Sequence, residues 1–245
     1  MEFAGGWDSV AVLVGDRVER RPRRPDVEPQ LRREVRLMPW LAPRLPMPVP
    51  VPELVSDDPL VVRHVLVPGE PTGGVDPAHG RALGAFLRAL HATPPAGAAP
   101  LGVAPADRAG ALDRDTAQVV PLLPAAVRAR AGALLDAVRD LPADAVVHGD
   151  VGPEHVLADD TGLTGVIDFG DAHLGDPALD LAWALHGTAR PFADAVAESY
   201  GVTGEQRARA LLWHRLGPWH EVTHAFDTGT SPAEGLAAVL DRLSP

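Results

Sequence analysis

The stretch 146-VVHGDVGPEHVLADDTGLTGVIDFGDAHLGDPALDLAW-183 places eight acidic residues and three histidines around two short apolar runs. The runs are typical of two strands joined by a turn at 159–162, that is, a β-hairpin. Asp150 follows a short strand before the hairpin, and Asp168 ends its second strand. Folding of the hairpin therefore brings Asp150, His155 and Asp168 into one cleft. Two carboxylates at one mouth repel each other unless a cation or a transferable proton lies between them.

Three kinds of site use such a carboxylate pair: a divalent metal site, a general base beside a metal, and the acid pair of a glycosidase. Aromatic residues make up only 4% of the chain, which weakens the glycosidase interpretation, because sugar-binding platforms usually use aromatic rings. A single aspartate at a strand end would be explained more simply as a turn or cap residue. The combination of His148, Asp150, Asp168 and the following "GDPALDLA" favours a functional site.

The composition excludes several classes of protein. The 245 residues, 46% of them hydrophobic, can form one or two domains with a full core. Because 33 acidic residues outnumber 22 basic ones, we expect no nucleic acid partner. The absence of cysteine excludes disulfides and thiolate metal sites. Without a secretory signal pattern or an apolar run near ~18 residues, we expect a cytoplasmic protein with no membrane partner.

Strand patterns dominate the first 70 residues. The segments 10–14, 17–21 and 60–67 are predicted strands, 23–42 is a predicted helix that Pro39 ends or kinks, and the proline-rich 43–54 is predicted to be extended.

Helical patterns dominate the rest of the chain apart from the hairpin. Helices are predicted from Pro77, over roughly 107–140, and after the hairpin, the last one opened by a capping box of Ser231 and Glu234. The sequence therefore predicts an α+β fold with a small β-rich N-terminal lobe (1–70) and a larger helical C-terminal lobe (71–245) that carries the hairpin.

The quoted motifs resemble a known family. "HGDVGPEH" and "IDFGDAHLGDPALDLA" resemble the catalytic segment of the aminoglycoside and macrolide phosphotransferases, small-molecule kinases with a two-lobed, protein-kinase-like fold. "GGWDSVAVLVGDRVERRPRRP", "LRREVRLMPWLAPRLPMPVPVPE" and "VPGEP" resemble the same family's nucleotide lobe, in the same order. The resemblance covers most of the chain, although the leading helix common in such enzymes is expected to be missing or trimmed. It implies transfer of the γ-phosphate of ATP or GTP, with Mg²⁺ or alternatively Mn²⁺, to a hydroxyl of a small molecule, with an antibiotic as the favoured acceptor.

The resemblance also implies residue roles. Asp150 would be the catalytic base, and Asp168 would bridge the metal to the phosphates. His155 stands where kinases usually carry a metal-binding asparagine, and in this it is similar to the macrolide branch. Because Mg²⁺ prefers oxygen ligands, His155 is open to three roles: binding Mn²⁺, holding a metal-bound water, or contacting phosphate when protonated. Three residues are expected to brace the catalytic loop: His148, Asp176 and Asp180.

The nucleotide-binding residues depart from the kinase pattern. No lysine occupies the position that contacts the phosphates, and Arg20 resembles its substitute, with Glu34 as its ion-pair partner. Arginine can hold phosphate bidentately. Ser9 is expected at the tip of the first hairpin, near Gly5-Gly6, where backbone amides could cover phosphates. The segment "VVRHVLV" resembles the linker that reads the purine edge, which places three residues beside the base: His64, Val65 and Leu66. The choice between ATP and GTP stays open.

The acceptor is expected to contact the helical lobe. Trp219 and Glu221 follow Gly217-Pro218, where a helix is expected to be interrupted, and together with Asp171 they would suit a cationic, partly apolar acceptor. Core packing with a solvated acidic face is the competing interpretation. The predicted partners are thus a nucleoside triphosphate and a small, hydroxylated, cationic molecule, bound by a monomer or a weak dimer.

Two rival functions stay open. The chain could be a metabolic kinase for an amino alcohol or a sugar, or a nucleotide-binding pseudokinase. The missing lysine and the histidine at position 155 would be signs of decay in a pseudokinase. The presence of both Asp150 and Asp168 favours an active enzyme.

Overall fold

The N-terminal part of the chain is an antiparallel sheet covered by one long helix. The computed structural model describes residues 8–244. The four strands of the sheet lie in the order β1-β2-β4-β3. Their bounds are β1 Ser9–Val14, β2 Arg17–Pro22, β3 Glu53–Asp57 and β4 Leu60–Val65. Helix α1, Glu28–Leu41, packs on this sheet through Leu31, and Leu31 forms a small core with Leu60, Val62 and Val27, the residue before the helix.

Two features of this part differ from the sequence prediction. Residues Glu53–Asp57 form an edge strand, whereas only an extended chain was predicted there. Most of the side chains of this strand are exposed. Because neither face is buried, the sequence lacks the alternation of apolar and polar residues by which a strand is usually predicted. The helix predicted over 23–42 begins only at Glu28, and it continues for two residues beyond Pro39, so this proline does not end it.

The rest of the chain is mainly helical. Helices α2 Pro77–His91, α3 Pro95–Ala98, α4 Arg108–Gln118 and α5 Ala125–Arg139 come before the hairpin, and α6 Leu181–His186, α7 Arg190–Tyr200, α8 Gly204–Thr228 and α9 Ala233–Arg242 follow it. The short strands are β5 Glu70–Pro71, β6 Ala145–Val147, β7 Val156–Asp159, β8 Gly162–Val166 and β9 His173–Gly175. The predicted hairpin is β7–β8, extended by β5, while β6 pairs with β9.

Two predictions for this part are corrected. The helical pattern predicted over 107–140 is present, as the two helices α4 and α5 with a 3₁₀ turn between them. Strand β9 lies where helix was expected, because Val147 and His173 pair across β6 and β9. The capping box predicted for α9 does not form, since Pro232 is the N-cap and the Ser231 hydroxyl only accepts a 3.4 Å bond from the amide of Ala233.

The helices form two packed groups. The larger core combines α2, α6, α7 and the β7–β8 hairpin with the end of α1. The second core joins α4, α5, α8 and α9. The proline-rich segment lies against the hairpin, because the amide of Val166 donates to the carbonyl of Pro48 at 3.2 Å. No helix between residues 8 and 244 combines the length and hydropathy needed to cross a bilayer. The division into lobes at residue 70 stays a prediction.

Candidate active site

The loop after β6, residues 148–155, presents Asp150 and is held from behind by a buried carboxylate. Asp180 is fully buried and accepts the amide of His148 at 2.7 Å and the amide of Gly149 at 2.9 Å. Gly149 has φ +91°, and a Cβ on it would lie 2.5 Å from the carbonyl oxygen of Asp171. Only glycine therefore fits this turn without displacing the chain that carries Asp171.

His148 connects this loop to the end of the hairpin. Its Nδ1 accepts the amide of Asp150 at 3.2 Å, and its Nε2 lies 2.9 Å from the carbonyl of Ile167. Because a carbonyl only accepts, Nε2 carries the proton, and this imidazole is neutral. The ring is fully buried and packs 4.6 Å from that of Phe169, as measured between centroids. One side chain thus links the segments that carry Asp150 and Asp168.

His155 lies between the two carboxylates. Its Nδ1 is 2.8 Å from the carbonyl of Asp150 and 3.5 Å from a carboxylate oxygen of the same residue. Its Nε2 is 3.9 Å from a carboxylate oxygen of Asp168. Since the carbonyl requires a donor, Nδ1 carries a proton and Nε2 is the atom that faces the cleft. The carboxylates stay accessible, with 55% of the Asp150 side chain and 47% of the Asp168 side chain exposed.

Asp168 has an unusual backbone conformation. It is the only non-glycine residue with positive φ, +65°, in the part of the chain that the structure describes. A non-glycine residue in this region is strained by roughly 1 kcal/mol or more, which is often found at functional sites. Desolvation raises the pKa of Asp168, but the charges of Arg20 and His155 and the hydrogen bond from the backbone of Gly170 outweigh it and lower the pKa overall. Asp168 is therefore held as a carboxylate that faces the cleft.

Arg20 lies behind Asp168 and makes three side-chain contacts. It donates to Glu34 at 2.8 Å and to Ser9 at 3.2 Å, and its third nitrogen is 3.5 Å from Asp168. The side chains of Arg20 and Glu34 are 10% and 1% exposed, so this is a buried ion pair. Burial raises the pKa of Glu34, and the charge of Arg20 opposes that rise. The predicted pairing of Arg20 with Glu34 is present in the structure.

The position of Ser9 corrects a prediction about the first hairpin. Ser9 begins β1, so it lies at the open end of the hairpin, whereas the tip is at Gly15-Asp16. Its side chain is buried, and its hydroxyl accepts from Arg20. Gly5-Gly6 lie outside the described residues.

Two backbone groups of the linker residues His64, Val65 and Leu66 are engaged within the protein. The amide of Leu66 donates to the carbonyl of Asp16 at 3.0 Å, and the carbonyl of Val65 lies 2.9 Å from Nδ1 of His64. His64 is buried, and burial lowers its pKa. These two groups are thus engaged within the protein, and a role of 64–66 beside the base stays a prediction.

Of the three residues predicted to contact the acceptor, only Asp171 lies at this cleft. It accepts from Gln30 of α1 at 3.3 Å, and partial desolvation and the charges of Asp150 and Asp168 raise its pKa. Trp219 is fully buried in the second core, so it cannot touch a ligand. The expected break at Gly217-Pro218 is absent, because α8 continues through Pro218. Glu221 is exposed but packs beside Gly235 of α9.

The two buried aspartates after the hairpin bind different partners. One oxygen of Asp176 accepts the indole N–H of Trp213 and the Nε of Arg209, each at 3.1 Å, and the other accepts the amide of Ala178. Helix α6 begins only at Leu181, so Asp176 caps the turn before it. Asp180 makes no capping bond to α6 and binds the loop of Asp150 instead.

The sequence reasoning missed residues that hold the cleft together. Arg33 of α1 donates to the carbonyl of Gly170, next to Asp168. His91 and Tyr200 are joined to Asp180 by hydrogen bonds, with His91 in the middle. None of them lies within a recognisable motif, and their spacing from the site in the chain gives no local signal.

The cleft offers few side chains that could bind the predicted divalent ion. Within residues 8–244, no three His, Cys, Asp or Glu side chains are already grouped as a complete metal site. Asp168 nevertheless offers an exposed, ionised carboxylate at the cleft. Mg²⁺ typically binds one or two carboxylates and completes its shell with water and substrate phosphates. The residues present therefore fit an ion that arrives with a nucleotide.

Comparisons with known proteins were made at the levels of sequence and structure. Residues 1–218 match the model of the phosphotransferase enzyme family. No curated protein is similar enough in sequence to match the chain.

Solved structures match nearly the whole chain. The GDP and kanamycin complex of APH(2")-IIia has a TM-score of 0.86 at 24% identity and covers 99% of this chain and 92% of its own. The macrolide 2'-phosphotransferase MphH from Brachybacterium faecium has a TM-score of 0.76 at 26% identity, with 100% and 92% covered. The ADP-bound aminoglycoside phosphotransferase APH(2'')-Ib has a TM-score of 0.76 at 18% identity, with 99% and 91% covered. The predicted fold class, a two-lobed, protein-kinase-like α+β fold, is confirmed by these similarities.

Proposed function

Because the chain belongs to the phosphotransferase enzyme family, we propose that it moves the γ-phosphoryl group of a nucleoside triphosphate to a hydroxyl of a small antibiotic molecule. Membership of the family confirms the predicted enzyme class, a small-molecule kinase. The observation that carries the proposal is the cleft in which His155 lies between the carboxylates of Asp150 and Asp168. The roles of single residues and the identity of the acceptor belong to the proposal.

Asp150 is the proposed base. Its carboxylate is more than half exposed, so an acceptor hydroxyl can reach it, while three backbone amides of its loop are fixed by Asp180 and His148. The reaction needs an oriented hydroxyl whose proton has an acceptor as the bond to phosphorus forms. A fixed, hydrogen-bonded loop carrying an accessible carboxylate meets both needs.

Asp168 and Arg20 are proposed to hold the triphosphate. A divalent ion on Asp168 would supply charge neutralisation at the phosphate oxygens. Arg20 places a guanidinium beside Asp168, and this group can form paired hydrogen bonds with phosphate. Glu34 and Ser9 orient that guanidinium from the other side. The chain's own contribution is thus a fixed cation next to a fixed carboxylate.

His155 is proposed to act through Nε2. Because its Nδ1 is engaged by the carbonyl of Asp150, only Nε2 is available to a metal ion, a metal-bound water or a phosphate oxygen. All three of the roles open to His155 therefore use the same atom. A histidine at this position agrees with the macrolide branch, and the macrolide enzyme MphH shares 26% identity with this chain.

The base is proposed to be read at the linker 64–66, as the sequence predicts. The amide of Leu66 and the carbonyl of Val65 are already engaged within the protein, so the remaining backbone groups of this linker are the ones that would approach a purine edge. Relatives of known structure were solved with GDP or with ADP, so both ATP and GTP are proposed donors.

A cationic acceptor is proposed because the cleft mouth is acidic. Asp171 adds a third carboxylate beside Asp150 and Asp168, and the charges of those two raise its pKa, which means that a positive group nearby would be favoured. Aminoglycosides and macrolides both carry amino groups and hydroxyls, and phosphotransferases for both are structural neighbours.

The experiment is a transfer assay over a panel of acceptors. We would incubate the protein with γ-labelled ATP or GTP, with Mg²⁺ or Mn²⁺, and with aminoglycosides, macrolides, amino alcohols and sugars in turn. A labelled aminoglycoside or macrolide supports the proposal. Labelling of an amino alcohol or sugar alone would identify a metabolic kinase, and nucleotide binding without any transfer or hydrolysis would identify a pseudokinase.

A further inference from the structure

Asp180, which holds the loop of Asp150, is itself held by a side chain from another helix. Nε2 of His91 lies 3.0 Å from Oδ2 of Asp180, and Nδ1 of His91 lies 2.9 Å from the hydroxyl of Tyr200. The side chains of His91 and Asp180 are 5% and 0% exposed. His91 ends α2 and Tyr200 ends α7, so the chain of contacts runs from two helix ends to the loop.

The direction of each hydrogen bond follows from the atoms involved. A carboxylate only accepts, so Nε2 of His91 is the donor to Asp180. Oδ2 of Asp180 then receives two donors, the ring of His91 and the amide of His148, while Oδ1 receives the amide of Gly149. Burial and the charges of Asp180 and Asp176 raise the pKa of Tyr200 to about 12, so its hydroxyl stays protonated.

The two helices that carry this pair form a rigid frame. A Cβ on Gly84 of α2 would lie 2.6 Å from the carbonyl oxygen of Val196 in α7, so the helix backbones are in direct contact there. The rings of His91 and Tyr200 meet edge to face, with centroids 5.6 Å apart. Sliding or rotation of either helix would therefore break close contacts, and the position of Nε2 of His91 is fixed with respect to both helices.

We propose that His91 is a positioning residue for phosphoryl transfer: it fixes the plane of the Asp180 carboxylate and thereby the direction of the amides of His148 and Gly149, which aim Asp150 at the acceptor. Tyr200 fixes the ring of His91. This inference rests on the proposed function only for the role of Asp150, because the hydrogen-bond chain itself is independent of the reaction. In this role His91 acts through Asp180 and does not touch substrate.

Two substitutions separate this role from simple packing. His91→Gln keeps an N–H donor near the place of Nε2, whereas His91→Leu fills similar space without a donor. We expect His91→Leu to lower the kcat of nucleotide turnover on the order of 10- to 100-fold, because a displacement near 1 Å in a reacting group has an effect of this size. The KM for the nucleotide should stay within about threefold, since Arg20 and Asp168 are untouched. His91→Gln should recover most of the lost kcat.

Leu90→Ala is the control for lost stability. Leu90 is fully buried in α2, one residue before His91, and makes no contribution to the hydrogen-bond chain. Leu90→Ala should lower the midpoint of thermal denaturation as much as His91→Leu does, or more. At temperatures below that midpoint its kcat should stay near the wild-type value. Equal losses of kcat in Leu90→Ala and His91→Leu, or no difference between His91→Leu and His91→Gln, would overturn the proposal.

Amide hydrogen exchange tests the same contact without any turnover. Exchange at residues 148 and 149, resolved to single amides by mass spectrometry, should quicken by about tenfold or more in His91→Leu and stay slow in His91→Gln. If the wild type turns over no nucleotide, the proposed function fails while this comparison still decides the role of His91. Unchanged protection in His91→Leu would overturn the role even in an active enzyme.

Discussion

Removal of Arg20 while Glu34 remains should destabilise the protein far more than removal of an exposed arginine. The two side chains are 2.8 Å apart and nearly buried, and Oε1 of Glu34 already has no hydrogen-bond partner among the described residues. Arg20→Met therefore leaves a buried carboxylate with no cation and no donor from Arg20. Breaking one side of a buried pair in this way typically costs about 3 to 5 kcal/mol.

The double variant gives the sharper measurement. Replacing both members of a buried pair by apolar residues of similar size is typically close to neutral, so Arg20→Met with Glu34→Met should recover most of the lost stability. We expect a coupling energy of about 2 kcal/mol or more from the four-variant cycle, measured by urea denaturation at pH 7.5. Arg63→Met is the matched control, because Arg63 lies on the same sheet and its ion pair with Glu53 at 3.1 Å is exposed. The free energy of unfolding of Arg63→Met should fall by less than about 1 kcal/mol.

Additive effects of the two substitutions would refute this reasoning, as would an Arg20→Met variant no less stable than Arg63→Met. The same variants report on nucleotide binding. Arg20→Met should raise the KM for the nucleotide, and the double variant should not restore it, because the guanidinium is still missing. Stability and binding are thereby separated within one set of proteins.

Three further substitutions give independent tests. Asp168→Asn should weaken Mg²⁺-dependent nucleotide binding, and calorimetry that finds the same Mg²⁺ dependence as in the wild type would contradict the metal role. Asp115 is buried and its pKa is raised to about 6, against the charges of His220 and Arg114, so its ionised form destabilises the folded state. The folded state holds that proton more tightly than the unfolded state. Asp115→Asn should therefore raise the free energy of unfolding by about 2 kcal/mol above pH 6 and leave it unchanged below about pH 4. Equal increases at both pH values would contradict this. Gly149→Ala should reduce turnover strongly, since its Cβ would lie 2.5 Å from a carbonyl oxygen, and a fully active variant would show that the loop is looser than described.

The sequence predicted those parts of the fold that depend on residues close together in the chain. The β7–β8 hairpin and the start of α2 at Pro77 were predicted correctly, because turn residues, a capping aspartate and apolar spacing all act within a few residues. Strands β3 and β9 were missed, since both are short and depend on pairing with partners that the local pattern does not identify.

The residues of the candidate site were also predicted in part. Motif spacing placed Asp150, His155 and Asp168 together, and the resemblance to the phosphotransferases placed Arg20 beside Glu34. The acceptor prediction was wrong for Trp219, because the face of α8 on which a tryptophan lies is decided by the packing of α4, α5 and α9.

Contacts between residues that are far apart in the chain and lie outside the recognised motifs could not be predicted. His91 and Asp180 lie 89 positions apart and meet only after two helices and the hairpin have assembled. Asp180 was expected to brace the catalytic loop, and its carboxylate does accept two amides of the loop that carries Asp150. The contact that the sequence does not indicate is the one with His91, because His91 lies on a separate helix.

The role of Asp150 as the base is tested most directly by comparing nucleotide binding with phosphoryl transfer in Asp150→Asn. This substitution keeps the size of the side chain and the loop's backbone contacts but removes the negative charge that would accept the hydroxyl proton. We expect a nucleotide Kd close to that of the wild type, together with loss of nearly all phosphoryl transfer to the best acceptor of the panel. Transfer at the wild-type rate, or a loss of nucleotide binding as large as the loss of transfer, would contradict the assignment of Asp150 as the base.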